Sequence, residues 1–150
     1  MAKFFARNKK AFHNYEVIDK LEAGIVLIGA EVKSVKSGIV SLRDSFVRID
    51  NGEAWLWNCN ISQWKFARDI GYDPLRKRKM LLNSKEIAFL DSKVNAKNLT
   101  LIPLSMYSVR GKIKVEIGLC RGRKKYDKRR RAKERSLKKE LHQKRRKFMV

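Results

Sequence analysis

The stretch LRDSFVRIDNGEAWLWNCNI, from Leu42 to Ile61, decides how the chain is read. Asn51-Gly52 lies near its centre, and both central positions of a type I′ turn need positive φ, which Asn and Gly adopt most readily. Leu42 to Ile49 and Glu53 to Ile61 are therefore predicted to be the two arms of a β-hairpin. On the return arm Trp55, Trp57, Cys59 and Ile61 share one face by period-two alternation, and Leu56 and Asn58 take the other. Aromatic residues on a strand can stack on bases. With Ile61 on the same side, the pattern favours core, and both tryptophans are predicted to be buried.

A second hairpin is predicted from Leu99 to Val109 and Lys112 to Cys120, across Arg110-Gly111. Ile113, Val115, Ile117 and Leu119 alternate there with Lys112, Lys114, Glu116 and Gly118, as in a half-buried strand with one polar face. Upstream, Tyr15 to Leu27 reads as strand in two pieces, interrupted at Glu22-Ala23. The residues alone favour Glu22 as an edge or bend position paired to a lysine, over an acceptor for base or ribose donors. Gly29 to Gly38 reads as a short helix with Val32 and Val35 inward and Gly38 at the C′ position. Asn83 and Glu86 have capping-box spacing and open a helix with Ile87, Leu90 and Val94 on one face. Gly71 and Asp73-Pro74 mark a loop from Ser62 to Pro74. Arg76 to Lys79 form a compact basic knot, and Met1 to Lys10 a basic, loosely patterned arm.

These pieces amount to at least five strands, two hairpins and two short helices. The fold class predicted is mainly β: a small antiparallel OB-like barrel with flanking helices over residues 1–122. Residues 123–150 form a separate basic C-terminal tail. From Arg121 to Val150, sixteen Lys or Arg against three Asp or Glu carry +13 of the formal +22, leaving +9 for the first 120 residues. So dense a charge repels itself, and the tail is expected to be disordered or partly helical when free.

The charge points to a polyanion, with nucleic acid ahead of membrane. No apolar run reaches the roughly 18 residues a membrane span needs, and the N-terminus lacks the pattern of a secretory signal. Cys59 and Cys120 are too far apart for zinc spacing or a disulfide framework and read as strand residues in a reducing cytoplasm. His13 and His142 read as solvated. No phosphate loop, dinucleotide fingerprint, GxSxG or HExxH occurs, and the carboxylates are scattered. A binding module is expected, with no catalytic residue, metal or cofactor.

Five segments, in order, carry a resemblance: NKKAFHNY (Asn8 to Tyr15), LEAGIVLIGAEVKSVKSG (Leu21 to Gly38), RDSFVRIDNGEAWLWNCNI (Arg43 to Ile61), DPLRKRKMLLNSKEI (Asp73 to Ile87) and KVEIGLCRGRKKYDKR (Lys114 to Arg129). Together they resemble the SsrA-binding protein (SmpB) family of bacterial trans-translation. The resemblance implies an OB-type barrel that binds the tRNA-like domain of tmRNA (the SsrA RNA) and accompanies it to stalled ribosomes. It implies a monomer, bound one per tmRNA, whose tail enters the small-subunit decoding region and the empty mRNA channel.

By motif position, the resemblance carries tmRNA binding to Asn8, Glu22, Leu81 and Asn83, and a phosphate-facing role to Lys114. Lys9, Arg76, Arg78, Lys79 and Lys112 join them as the barrel's expected basic side. Gly122, Lys124, Lys125, Tyr126, Asp127, Lys128 and Arg129 correspond to the ribosome-facing tail. Tyr126 stands where the family often has His, which keeps stacking but not an imidazole proton. A structural ribosomal or general RNA-binding protein with a basic extension shares the composition and size, but does not require Glu22 and Asn83. A nuclease ranks third.

Overall fold

Two type I′-like turns set the architecture. Asn51 and Gly52 take φ of 51° and 75°, and Arg110 and Gly111 take 51° and 77°, reversing the chain at both predicted hairpins. The computed structural model describes residues 3–68 and 70–122. In order it contains β1 (Lys3–Arg7), α1 (Lys9–Asn14), β2 (Tyr15–Ile25), α2 (Gly29–Lys36), β3 (Val40–Ser41), β4 (Phe46–Asp50), β5 (Glu53–Trp57), β6 (Asn60–Ile61), β7 (Arg78–Leu81), α3 (Ser84–Lys97), β8 (Thr100–Val109) and β9 (Lys112–Gly122). No described helix is long and apolar enough to cross a membrane.

The main sheet runs β1-β8-β4-β5-β7-β2-β9, and β9 pairs again with β8, so the strands from β8 round to β9 close into an antiparallel barrel. Closure gives each of those strands a neighbour on both sides, although β2 meets β7 only at Gly24 and Ile25 and β4 meets β8 only at Val47. β8 uses one edge for β9 and divides the other between β4, at Val47↔Leu101, and β1. The N-terminal residues are thus not the loosely patterned arm that composition suggested. Lys3 to Arg7 extend the sheet because β8 outruns β4 and offers them an edge. α3 opens with the reciprocal cap expected from its spacing: the Asn83 Oδ1 accepts from the Glu86 N–H at 2.8 Å, and the Glu86 Oε1 accepts from the Asn83 N–H at 3.1 Å.

The inner cluster contains Val35, Val47, Ala54, Leu56, Cys59, Ile61, Met80, Leu90, Leu101, Met106, Val115, Ile117 and Leu119. A smaller outer cluster joins Ala11, Ile102, Leu104 and Cys120. β8 serves both because its register shifts between Pro103 and Ser105, which puts Leu104 outside and Met106 inside. Gly118, expected on a polar face, is buried in this layer, where an added Cβ would come within 2.8 Å of Leu104 Cδ1.

The return arm of the first hairpin departs from simple alternation. Ala54 and Leu56 are completely buried, whereas Trp55 and Trp57 are half-buried on the outer face. Asn58 then adopts φ of 59°, and that left-handed step reverses the parity. Cys59 and Ile61 consequently enter the core, although Trp55 and Trp57 do not. Cys59 lies between β5 and β6 rather than within a strand. Burial pushes both thiols up to about 11, so they act as small apolar fillers.

Candidate nucleic-acid interface

Directly paired residues in antiparallel strands project to the same side of the sheet. One ladder row runs across five strands: Leu81 in β7, Gly24 in β2, Lys114 in β9, Tyr107 in β8 and Phe4 in β1. Gly24, buried under the Leu81 side chain, lies between Leu81 and Lys114. A Cβ there would come within 3.1 Å of Leu81 Cβ, so only glycine lets Leu81 lie across it unshifted. Leu81 remains exposed, an apolar group suited to a base face, and Lys114 has no carboxylate partner among the described residues. In the next row Glu22 stands opposite Glu116, which stands opposite Ser105.

Glu22 is exposed, and its described partner is not a lysine, as the residues alone suggested. The Tyr107 hydroxyl donates to Glu22 Oε2 at 2.8 Å, fixing the carboxylate while leaving acceptor capacity toward solvent. Burial raises the Tyr107 pKa, and the bond to the nearby carboxylate raises it further. The phenol therefore stays a donor at neutral pH. Lys20 approaches Glu116 at 3.9 Å, which eases the juxtaposition of the two glutamates. Asn83, just beyond Leu81, uses its Oδ1 as a cap, leaving the Nδ2 amide as a donor.

Asn8 is buried and occupied by the protein itself. Its Nδ2 donates to the Leu42 carbonyl at 3.2 Å and the Pro103 carbonyl at 3.0 Å, while its Oδ1 accepts from the Ala11 N–H at 3.2 Å. It ties α1 to the outer layer, and the neighbouring Lys9 is the exposed group.

Only the lysines of the basic knot are surface groups: Lys77 and Lys79 are exposed, whereas Arg76 and Arg78 are drawn into the fold. Arg78 is fully buried: Nε donates to Glu31 Oε2 at 2.7 Å, and Nη1 to the Cys59 carbonyl at 2.7 Å. Its Nη2 donates to the Tyr72 hydroxyl and the Pro74 carbonyl. Arg76 closes on the other Glu31 oxygen, and the same carboxylate accepts from the Ile28 N–H at 3.0 Å. Alternation along β7 turns Arg78 inward with Met80 and leaves Lys79 outside with Leu81. Lys79 pairs with Glu53 at 3.3 Å. Of the predicted basic side, Lys9, Lys112 and Lys114 remain as cations without carboxylate partners among the described residues.

Gly122 is exposed at the end of β9. Lys124, Lys125, Tyr126, Asp127, Lys128 and Arg129 lie outside the described residues. Tyr107 and Gly24 escaped sequence reasoning because their contributions depend on cross-strand register. A hollow of about 630 Å³ opens between α1, β4 and α3, but it shares no residue with the Leu81-to-Phe4 row. Lys10, Arg48, Asp44 and Asp91 mix both charge signs along it.

The closed antiparallel barrel and its basic, partly apolar outer face define a member of the small OB-like barrel class. The SmpB protein family model matches residues 5–147, and the chain belongs to that family. It is 54% identical over 139 residues to the SsrA-binding protein of Sulfurihydrogenibium sp. (strain YO3AOP1), covering 93% of this chain and 91% of the relative. It is also 54% identical to the SsrA-binding protein of Persephonella marina (strain DSM 14350 / EX-H1), covering 95% and 93% respectively. A solved structure described as "tmRNA-SmpB: a journey to the center of the bacterial ribosome" matches with TM-score 0.66 and 44% identity, over 79% of this chain and 84% of that one.

Proposed function

We propose that the protein binds tmRNA through the RNA's tRNA-like domain and delivers it to stalled ribosomes in trans-translation, in the bacterial cytoplasm. One observation carries the choice of face. The ladder brings Leu81, Gly24 and Lys114 into one row, with an oriented Glu22 carboxylate beside it and Asn83 just beyond. An acidic acceptor on the RNA side of a protein with charge +22 opposes phosphate, so it suits base-edge recognition rather than general RNA affinity. Leu81 supplies an apolar contact to an unstacked loop base, Asn83 an amide donor, and Lys9, Lys112 and Lys114 phosphate contacts. Asn8 and Arg78 are buried and hold the fold rather than RNA, and Arg76 is taken up by Glu31. Lys79 contributes at the margin of this face.

In this reading the protein is a monomeric binder, one per tmRNA, and requires no cofactor. Residues 123–150 reach the decoding region and the vacant mRNA channel. Their positive charge favours an empty ribosomal RNA groove, whereas resident mRNA excludes them by volume.

A gel shift with the tRNA-like domain against excess bulk tRNA tests the proposal. The expected result is selective retention of the tRNA-like domain. With about five phosphates neutralised, log K should fall with log salt at a slope of about −4 to −5. Glu22→Ala should narrow the preference over bulk tRNA without unfolding the barrel. Equal competition by bulk RNA would instead identify a general RNA binder or structural ribosomal protein.

Tyr107→Phe separates orientation from charge. The ring remains, tilted against Phe4 with centroids 5.4 Å apart, but Glu22 loses its hydroxyl donor. Loss of a net contribution of about 1 kcal/mol should weaken specific tmRNA binding roughly fivefold while leaving the salt slope unchanged. A changed slope with intact selectivity would show that Glu22 needs no such positioning.

A further inference from the structure

The outer face of the first hairpin carries aromatic and cationic groups that the tmRNA interface does not use. We propose that Phe46, Arg48, Trp55, Trp57 and Lys77 form a second RNA surface, a platform that stacks unpaired nucleotides of ribosomal RNA. Its assignment to ribosomal RNA rests on the reading that tmRNA occupies the Glu22 face; its chemistry does not.

The ladder sets Phe46 opposite Trp57 and Arg48 opposite Trp55. Because Ala54 and Leu56 fill the core, both indoles are carried outward. The Phe46 and Trp57 rings are nearly parallel, at 7° with centroids 6.4 Å apart. Lys77 Nζ lies 4.5 Å from the Trp55 ring centroid and 5.5 Å from that of Trp57, and Arg48 lies 5.3 Å from that of Phe46. Neither cation has a carboxylate partner among the described residues, whereas neighbouring Lys79 is paired with Glu53.

Unneutralised cations over aromatic rings fit a chain that alternates phosphates with flat bases. Paired bases in a duplex already have their faces covered, so unpaired nucleotides are the matching ligand. The Trp57 Nε1–H is buried without an acceptor among the described residues. Asp50 and Glu53 at the hairpin tip disfavour phosphate there, directing the RNA toward the Phe46–Trp57 end.

The test uses the full chain with oligouridylate, its duplex with oligoadenylate, and the tmRNA tRNA-like domain as separate probes. Single-stranded oligouridylate should quench tryptophan fluorescence and bind better than the duplex. The Trp55→Leu and Trp57→Leu double variant should weaken that binding roughly tenfold or more but retain the tRNA-like domain. Phe at both positions should restore most of the loss, a rescue that separates stacking from folding. A photocrosslinker at position 77 should mark ribosomal RNA in stalled complexes. Unchanged oligouridylate affinity in the Leu variant, no preference over duplex, or crosslinks to protein or tmRNA instead would overturn the proposal. Failure of tRNA-like-domain binding with the oligouridylate response intact would overturn the tmRNA reading alone.

Discussion

Glu31→Gln is expected to destabilise the protein by about 3–5 kcal/mol, the range for removing one partner of a buried charge cluster. Glu31 and Arg78 are fully buried, and Arg76 approaches the same carboxylate from a partly exposed position. The cluster joins α2, the loop containing Tyr72 and Pro74, and β7. A glutamine would retain most of the volume but leave Arg78 without its countercharge. Urea unfolding should show the loss as a lower midpoint, with little change in slope if unfolding remains two-state. A change within about 0.5 kcal/mol would reject this account of the cluster.

Burial alone would raise the Glu31 pKa, but Arg76, the Ile28 N–H and Arg78 together hold it below the ordinary 4.5. A folded value below the unfolded one makes this contribution complete above the unfolded value. It fades as pH falls through the folded value. The stability gap between wild type and Glu31→Gln should therefore narrow in acid. A gap constant down to the lowest pH at which both fold would contradict the linkage.

Removing Lys125 to Val150 is expected to abolish tagging while leaving tmRNA affinity nearly intact. The proposed specific contacts lie on the barrel, whereas the removed segment carries much of the chain's charge. Binding at moderate salt should change little, with at most a reduced non-specific component, but peptide tagging on stalled ribosomes should disappear. Loss of specific tmRNA affinity on truncation would reject the division between platform and tail.

Much of the barrel was legible because local chemistry and tertiary structure agree. Asn51-Gly52 required its turn, Asn83 and Glu86 announced their cap, and β9's alternating apolar residues identified its inner face. Trp55 and Trp57 were misplaced because the left-handed step at Asn58 resets alternation, and extrapolating back from Ile61 crosses that step. Arg76 and Arg78 looked like a phosphate patch because a basic run does not reveal that Glu31, far earlier in the chain, receives both. The assignment of Glu22, Leu81, Asn83 and Lys114 to the candidate interface came from family resemblance. Tyr107 and Gly24 required the strand register, which the individual motifs do not specify.

β9 is stitched to β2 on one side and β8 on the other, with the β2 ladder followed as far as Gly122. Tension drawn through that end would load two hydrogen-bond ladders lengthwise, sharing the force among many rungs instead of opening them one at a time. The barrel is therefore suited to act as a mechanical anchor for whatever force reaches it through the chain beyond Gly122.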